Sequence, residues 1–355
     1  MTTADAGALE RIALARLPEL QVASGLFRPS ARVEGVEEPG PAPTTLQAAT
    51  VVLLGLLRAD EVGIGHPFSS GALRTRVLGD LGPQSTAGEL GLALWAESRA
   101  DGNAVGEITG LAADRTAGSF DRLGLGELSW LVTGLSEATV RTGEEQHSAP
   151  LLEESLGELV SRVSPAGDLL LESRAGHRAH ATPVADQFHA LTALAQAVRA
   201  GHRDVAGEGG DRLAGALIGL QRDDGAWPGL IDARHGEAAA IYPVLTATQV
   251  ALAPMAFRVA AEAGMEGDLR DPVQRGLAWA GGDNLFGFNL IHEREERLDR
   301  GIVPRREPGP VSRGFSTASR RLRGHPLEPD ADALILDPGV SSEDLGWVLE
   351  AWAGR

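Results

Sequence analysis

Helical periodicity recurs along almost the whole of this chain, and strand alternation is nearly absent. Apolar residues fall at i, i+3, i+4 and i+7 over residues 46–57, 87–99, 128–140, 151–163, 187–200, 212–220, 246–262, 272–280 and 344–352. That spacing gives each helix one apolar stripe, and a stripe is stable only when buried against another element. Gly- and Pro-rich turns separate the runs, as in Ser164-Pro-Ala-Gly167 and Asp223-Asp-Gly225. Short amphipathic helices joined by tight turns predict an all-α protein of stacked helical hairpins, an alpha/alpha toroid or a solenoid.

Residues 21–43, rich in Pro and Glu, break this pattern, and periodicity fails again over 292–338. The expected organisation is an N-terminal helix with an irregular lead-in over 1–43, then one toroid domain over 44–355. The second irregular stretch carries Arg294, Arg297, Arg300, Arg305, Arg306, Arg313, Arg320, Arg321 and Arg323. A long irregular segment within a compact domain is usually functional or mobile. Helix resumes at Ser341-Ser-Glu-Asp344, where Ser341 or Ser342 can cap the first turn.

Composition narrows the chemistry. The chain has no cysteine, which removes disulfides, thiolate metal ligation and a cysteine nucleophile. Every basic residue is arginine, and the net charge is −17, which argues against nucleic acid or an anionic membrane as partner. There is no apolar run of transmembrane length. The N-terminal residues read as an amphipathic helix rather than a signal peptide, so the expected location is cytoplasmic. The expected partner is a small molecule or glycan, with no metal and no cofactor.

The stretch Gln221-Arg-Asp-Asp-Gly225-Ala-Trp227 resembles the Gln-Trp repeat of squalene–hopene cyclases and of the related terpene-cyclase and prenyltransferase toroids. The resemblance implies that Gln221 caps a helix end, Gly225 makes the turn and Trp227 packs over the neighbouring helix. A looser likeness runs through Tyr242-Pro-Val, Ala253-Pro254-Met255, Trp279-Ala-Gly-Gly-Asp283-Asn284-Leu-Phe-Gly287 and Leu345-Gly-Trp347. Those stretches are similar to bacterial toroid proteins described as prenyltransferase or squalene-oxidase repeat proteins. Class II terpene cyclases protonate their substrate from a D-x-D-D motif; here only Asp223-Asp224 and Asp330-x-Asp332 occur, and aromatics are 4% of residues.

Several constellations are candidates for chemistry. Asp186 and His189, at i and i+3, share a helix face, as acid–base work requires, or Asp186 caps the helix and His189 is an ordinary buried histidine. His177-x-x-His180 is a metal pair only if further ligands join it. Asp232 and Tyr242 are catalytic candidates, with Trp227 and Gln249 lining the same hairpin loop, where Trp227 also suits helix stacking. Asp283, Asn284 and Asn289 are candidate ligand contacts or simple turn formers. Arg305 and Arg306 could clamp a phosphate or carboxylate, or pair with surface acids. Trp347 is a further ligand-binding candidate. The leading functional expectation is a toroid enzyme acting on a carbohydrate or glycoconjugate by acid–base chemistry, through hydrolysis, epimerisation or elimination. The alternatives are an isoprenoid cyclase or prenyl-diphosphate binder without D-x-D-D, and a non-catalytic toroid that binds a partner.

Overall fold

Four of the described helices begin where the sequence supplies an oxygen to hold the first turn. In the computed structural model, which describes residues 6–29, 45–117, 119–142, 145–164, 168–173, 180–305 and 331–355, Thr45, Ser69, Thr86 and Ser341 do this. Each accepts a backbone N–H from the third residue on, at 3.1 to 3.3 Å. Thr86 and Glu89 form a reciprocal capping box.

The described helices are α1 (Ala6–Leu20), α2 (Leu46–Glu61), α3 (Ser70–Asp80), α4 (Ala87–Arg99), α5 (Val105–Thr116), α6 (Leu125–Thr142), α7 (Glu145–Ser161), α8 (Val184–Arg199), α9 (Arg203–Leu220), α10 (Ala253–Glu262), α11 (Asp271–Ala280) and α12 (Ser342–Trp352). A π-helical turn, Thr248–Leu252, leads into α10. α2, α4, α6, α8, the π-turn with α10, and α12 pack side by side and close into a ring, with α12 returning to α2. Each inner helix carries an outer partner: α3 on α2, α5 on α4, α7 on α6, α9 on α8, α11 on the π-turn, and α1 on α12. The architecture is an alpha/alpha toroid whose first and last helices pair.

Two inner contacts are tight enough to need glycine. A Cβ on Gly134 of α6 would fall 2.0 Å from the Gly91 carbonyl of α4, and one on Gly55 of α2 would fall 2.6 Å from that of Gly346 on α12.

The Gln221–Trp227 turn joins neighbouring hairpins. The Gln221 amide donates to the carbonyls of Gly225 and Pro272, each at 2.8 Å, which ties the end of α9 to the start of α11. Gly225 turns the chain at φ +93°. Trp227 is fully buried, donates its indole N–H to Leu217 at 2.7 Å, and meets Phe188 edge-on at 5.3 Å. The motif is architectural here.

The structure departs from the sequence reading in three places. Helices α3 and α5 are additional; only Ser70, Leu73 and Val77 of α3 are buried, too narrow a stripe for periodicity to register. The N-terminal helix, expected ahead of the toroid, belongs to it as the outer partner of α12. The stretch expected to be irregular over 292–338 holds strands among its described residues. Among the described residues there are three small antiparallel sheets: β1 (Ala181–Pro183), β2 (Leu230–Asp232) and β3 (Glu237–Ala240); β4 (Val244–Leu245), β7 (Gly301–Pro304) and β8 (Leu334–Asp337); and β5 (Ile291–His292) with β6 (Arg297–Leu298). Strands of two to four residues are too short to show alternation in a sequence. β1, β4 and β8 lead into α8, the π-turn and α12, so they ornament the rim formed by the N-terminal ends of those inner helices, which we call the mouth.

The opposite rim is charged and closed. Glu61, Arg99, Glu137, Arg141, Arg258 and Glu350 all lie within the last two turns of inner helices. Arg99 binds Glu350 with both guanidinium nitrogens, and Arg141 reaches Glu61 and Glu137, each at 3.1 Å. No described helix is long and apolar enough to cross a membrane.

Candidate active site

Three inner helices open with an acid followed, three residues on, by a ring: Glu127 and Trp130 on α6, Asp186 and His189 on α8, Asp344 and Trp347 on α12. Residues three apart share a helix face. The rings meet across the toroid axis. His189 lies 5.2 Å from Trp130, edge-on, and 5.2 Å from Trp347; Trp347 lies 6.1 Å from Trp95 of α4. The four rings form an aromatic floor, and each acid stands one turn nearer the mouth. The indole nitrogens of Trp95 and Trp130 are buried without a hydrogen-bond partner.

Asp186 does not cap its helix. α8 starts after Pro183 with no side-chain cap, and the carboxyl of Asp186 lies instead against Gly126 at the start of α6, where a Cβ would come within 2.8 Å of Oδ1. Glu172 approaches the same turn from the loop after α7, accepting the Leu125 N–H at 3.4 Å, and a Cβ on Gly124 would lie 2.9 Å from its Oε1. The run Gly124-Leu-Gly126 thus leaves a niche for two carboxyl groups.

The loop that brings Glu172 there is held from both sides. Gln187 of α8, fully buried, accepts the Leu170 N–H at 3.0 Å and donates to its carbonyl at 2.6 Å. Arg162, also fully buried, donates to the Glu172 carbonyl at 2.7 Å and to that of Phe120 at 2.9 Å, and pairs with Glu158.

Burial sets the protonation of these groups. Burial, reinforced by Glu172, pushes the Asp186 carboxyl up to about 7. Burial also raises Glu172, but the Leu125 N–H and Arg162 oppose the rise, so Glu172 is the member of the pair that ionises first. Asp344 is likewise pushed up to about 7, by burial and by Glu343. Glu343 is raised by burial against the pull of Gln47, whose amide donates to it at 2.9 Å. His189 is pushed down to about 3 by burial, so its imidazole is neutral near pH 7 and serves as a hydrogen-bonding group rather than one that changes charge.

Of the residues singled out from sequence, the fold brings Asp186, His189 and Trp347 together. Gln249 accepts the Trp227 N–H at 3.0 Å and is buried with it in the core. Asp232 is buried at the β2 turn, accepts the Arg234 N–H at 3.1 Å and pairs with His235 at 3.0 Å; although burial opposes it, His235 and His180 hold its carboxyl below the usual range. Tyr242 is half-buried against Phe286 at 6.0 Å, in a group with Phe288. Asn284 donates to Trp279 and Phe288 and accepts from Phe286 and Phe288, which fully occupies its amide in closing that loop. Asp283, Asn289 and Arg305 are exposed. Arg306, the arginines from 313 to 323 and His177 lie outside the described residues.

Glu127, Trp130, Glu172 and Asp344 are not among the site candidates read from the sequence. For all but Glu172 the signal is the acid-x-x-ring spacing repeated at 127–130, 186–189 and 344–347.

No family model matches this chain, and no curated protein sequence does. Solved structures do match. A sugar epimerase from a ruminal bacterium aligns over 98% of this chain and 97% of its own, at 12% identity and a TM-score of 0.65. A possible member of the GH105 family from Salmonella enterica aligns over 99% and 94%, at 10% identity and a TM-score of 0.62. A polysaccharide lyase aligns over 98% and 96%, at 10% identity and a TM-score of 0.60. At such identities the likeness speaks for the fold, and it extends over the full length: this chain is an alpha/alpha toroid.

Proposed function

We propose that this chain is a carbohydrate-acting enzyme that works by acid–base chemistry at the mouth, where the acid rim stands above the aromatic floor. The observation that carries this reading is the Asp186–Glu172 pair. One carboxyl keeps its proton near pH 7 while its neighbour ionises, which is the division of labour between a general acid and a general base. Asp186 gives its proton to the departing or rearranging oxygen, and Glu172 takes one from water or from a ring carbon. Hydrolysis, epimerisation and elimination all need such a donor and acceptor. Indole faces on the floor suit the apolar face of a sugar ring. The epimerase and lyase named above support the reading by the chemistry their names state.

The test is a turnover screen of neutral, amino and uronic glycosides with the intact chain and with Asp186→Asn. Turnover of one class, reduced by roughly 100-fold or more in the variant, is the expected result. A second reading, an isoprenoid-binding toroid, draws on the Gln221–Trp227 motif and on the same aromatic floor. Thermal stabilisation by prenyl diphosphates, with no carbohydrate turned over or bound, would replace the first reading by the second.

A further inference from the structure

The mouth holds more carboxyl groups than proton transfer needs. Glu172 and Asp186 crowd the start of α6, Glu343 and Asp344 stand at the start of α12, and Glu127 lies beside Glu172 closely enough to raise it. The nearby described cations are already engaged. Arg300 pairs with Asp337 at 3.7 Å, and Arg162 is committed to Glu158 and two carbonyls. The side chains of Asp186 and Asp344 have no hydrogen-bond or ion-pair partner among the described residues, although both are half-buried. Unpaired buried carboxyls are costly, so a site that keeps them is built for a charge that arrives later.

Two independent features give that charge its sign. His189, only 5% exposed and one turn below Asp186 on the same face, has no hydrogen-bond partner among the described residues. A neutral imidazole offers a lone pair to an incoming N–H. Beneath it the floor is indole, whose faces attract cations; the chain already uses this, with the Arg99 guanidinium 5.4 Å from the ring centre of Trp95.

We infer that the sugar unit bound at this mouth carries a free ammonium group, as glucosamine does. The inference rests on the carbohydrate reading above and narrows it. An ammonium has only donors, and the ionised carboxylate of Asp344, the carbonyl oxygen of protonated Asp186 and the lone pair of His189 are acceptors. A uronate would meet five carboxyls and no uncommitted guanidinium among the described residues. A neutral sugar gains nothing from the surplus charge. Because the empty site keeps a proton on Asp344 up to about pH 7, an entering cation displaces it, while Asp186 retains the proton it gives as general acid. Binding therefore tightens from pH 5 to pH 7 and releases protons. Glu127, Glu172, Glu343, Asp337, Arg300 and His189 are the other groups facing these two.

Isothermal titration of the full chain with glucosamine, N-acetylglucosamine, glucose and glucuronate, at pH 5 and pH 7 and in two buffers of different ionisation enthalpy, tests this. The expected result at pH 7 is glucosamine binding at least ~10-fold tighter than the two neutral sugars, about 1.4 kcal/mol, with protons released. That preference narrows to under ~3-fold at pH 5, in 0.5 M NaCl, or in Asp344→Asn. The salt and pH arms need no variant to fold. N-acetylglucosamine or glucose binding as tightly as glucosamine at pH 7 overturns the inference while leaving the carbohydrate function standing, and so does tighter binding of glucuronate. Binding of none of the four overturns both.

Discussion

At the scale of single residues, the fold uses helix ends for two opposite purposes. At the C-terminal rim acids and arginines neutralise one another; at the mouth, carboxyls are left without counter-ions. The consequence is a pH dependence whose sign follows from the direction of each shift. Asp186 and Asp344 titrate near 7 in the folded chain against an ordinary 3.8, so between those values the folded state binds more protons than the unfolded one. Their contribution to stability falls as pH rises through that window. His189 acts in the other direction: titrating near 3 instead of 6.5, its contribution is lost as pH falls through that range. Asp186→Asn should therefore be more stable than the parent at pH 8, with the difference shrinking toward pH 5. Urea midpoints at the two pH values measure it, and an unchanged midpoint at pH 8 would mean that the carboxylate is not desolvated by folding. The Asp186–His189 pair was legible in the sequence because both residues lie on one helix face. Glu172 was not, since its meeting with Asp186 depends on Gln187 and Arg162 holding a loop from two other elements.

At the scale of elements, the turn from Gln221 to Trp227 links α9, α11 and the core in a single step. Trp227→Ala removes a fully buried indole lying against Phe188 and Gly276, and should cost about 3–5 kcal/mol. Gln221→Ala, which leaves the Pro272 and Gly225 carbonyls without their donor, should cost about 1–3 kcal/mol. Chemical denaturation of both variants checks the ranking, and equal losses would contradict it. Capping shows the same split between local and distant information. Ser341, one of two serines that could cap α12, does so because its own backbone is extended there, a local property. The rim strands were not legible, because segments of two to four residues exist only through their pairing with distant partners.

For the whole molecule, closure of the ring is reinforced by charge at the C-terminal rim. Arg99 of α4, Glu350 of α12, Glu61 of α2 and Arg141 of α6 join helices that are distant in sequence. Arg99→Met strands Glu350 with only the more distant Arg258, and should destabilise the toroid by about 3–5 kcal/mol. The double variant Arg99→Met with Glu350→Leu should recover most of that loss, because an apolar pair leaves no buried charge. A double variant as unstable as the single one would show that the rim acts through packing and not charge.

The sequence by itself determined the inner helices of the ring, their amphipathic faces and the turn chemistry, since each depends on residues within a few positions of one another. It also placed acids and rings at matching positions on three helices. Only the tertiary structure decided that these helices surround one axis, that their rings form a common floor, and that the carboxyls above it lose their counter-ions. Desolvation and charge proximity belong to the assembled ring, where the distances that matter run between helices and not along the chain.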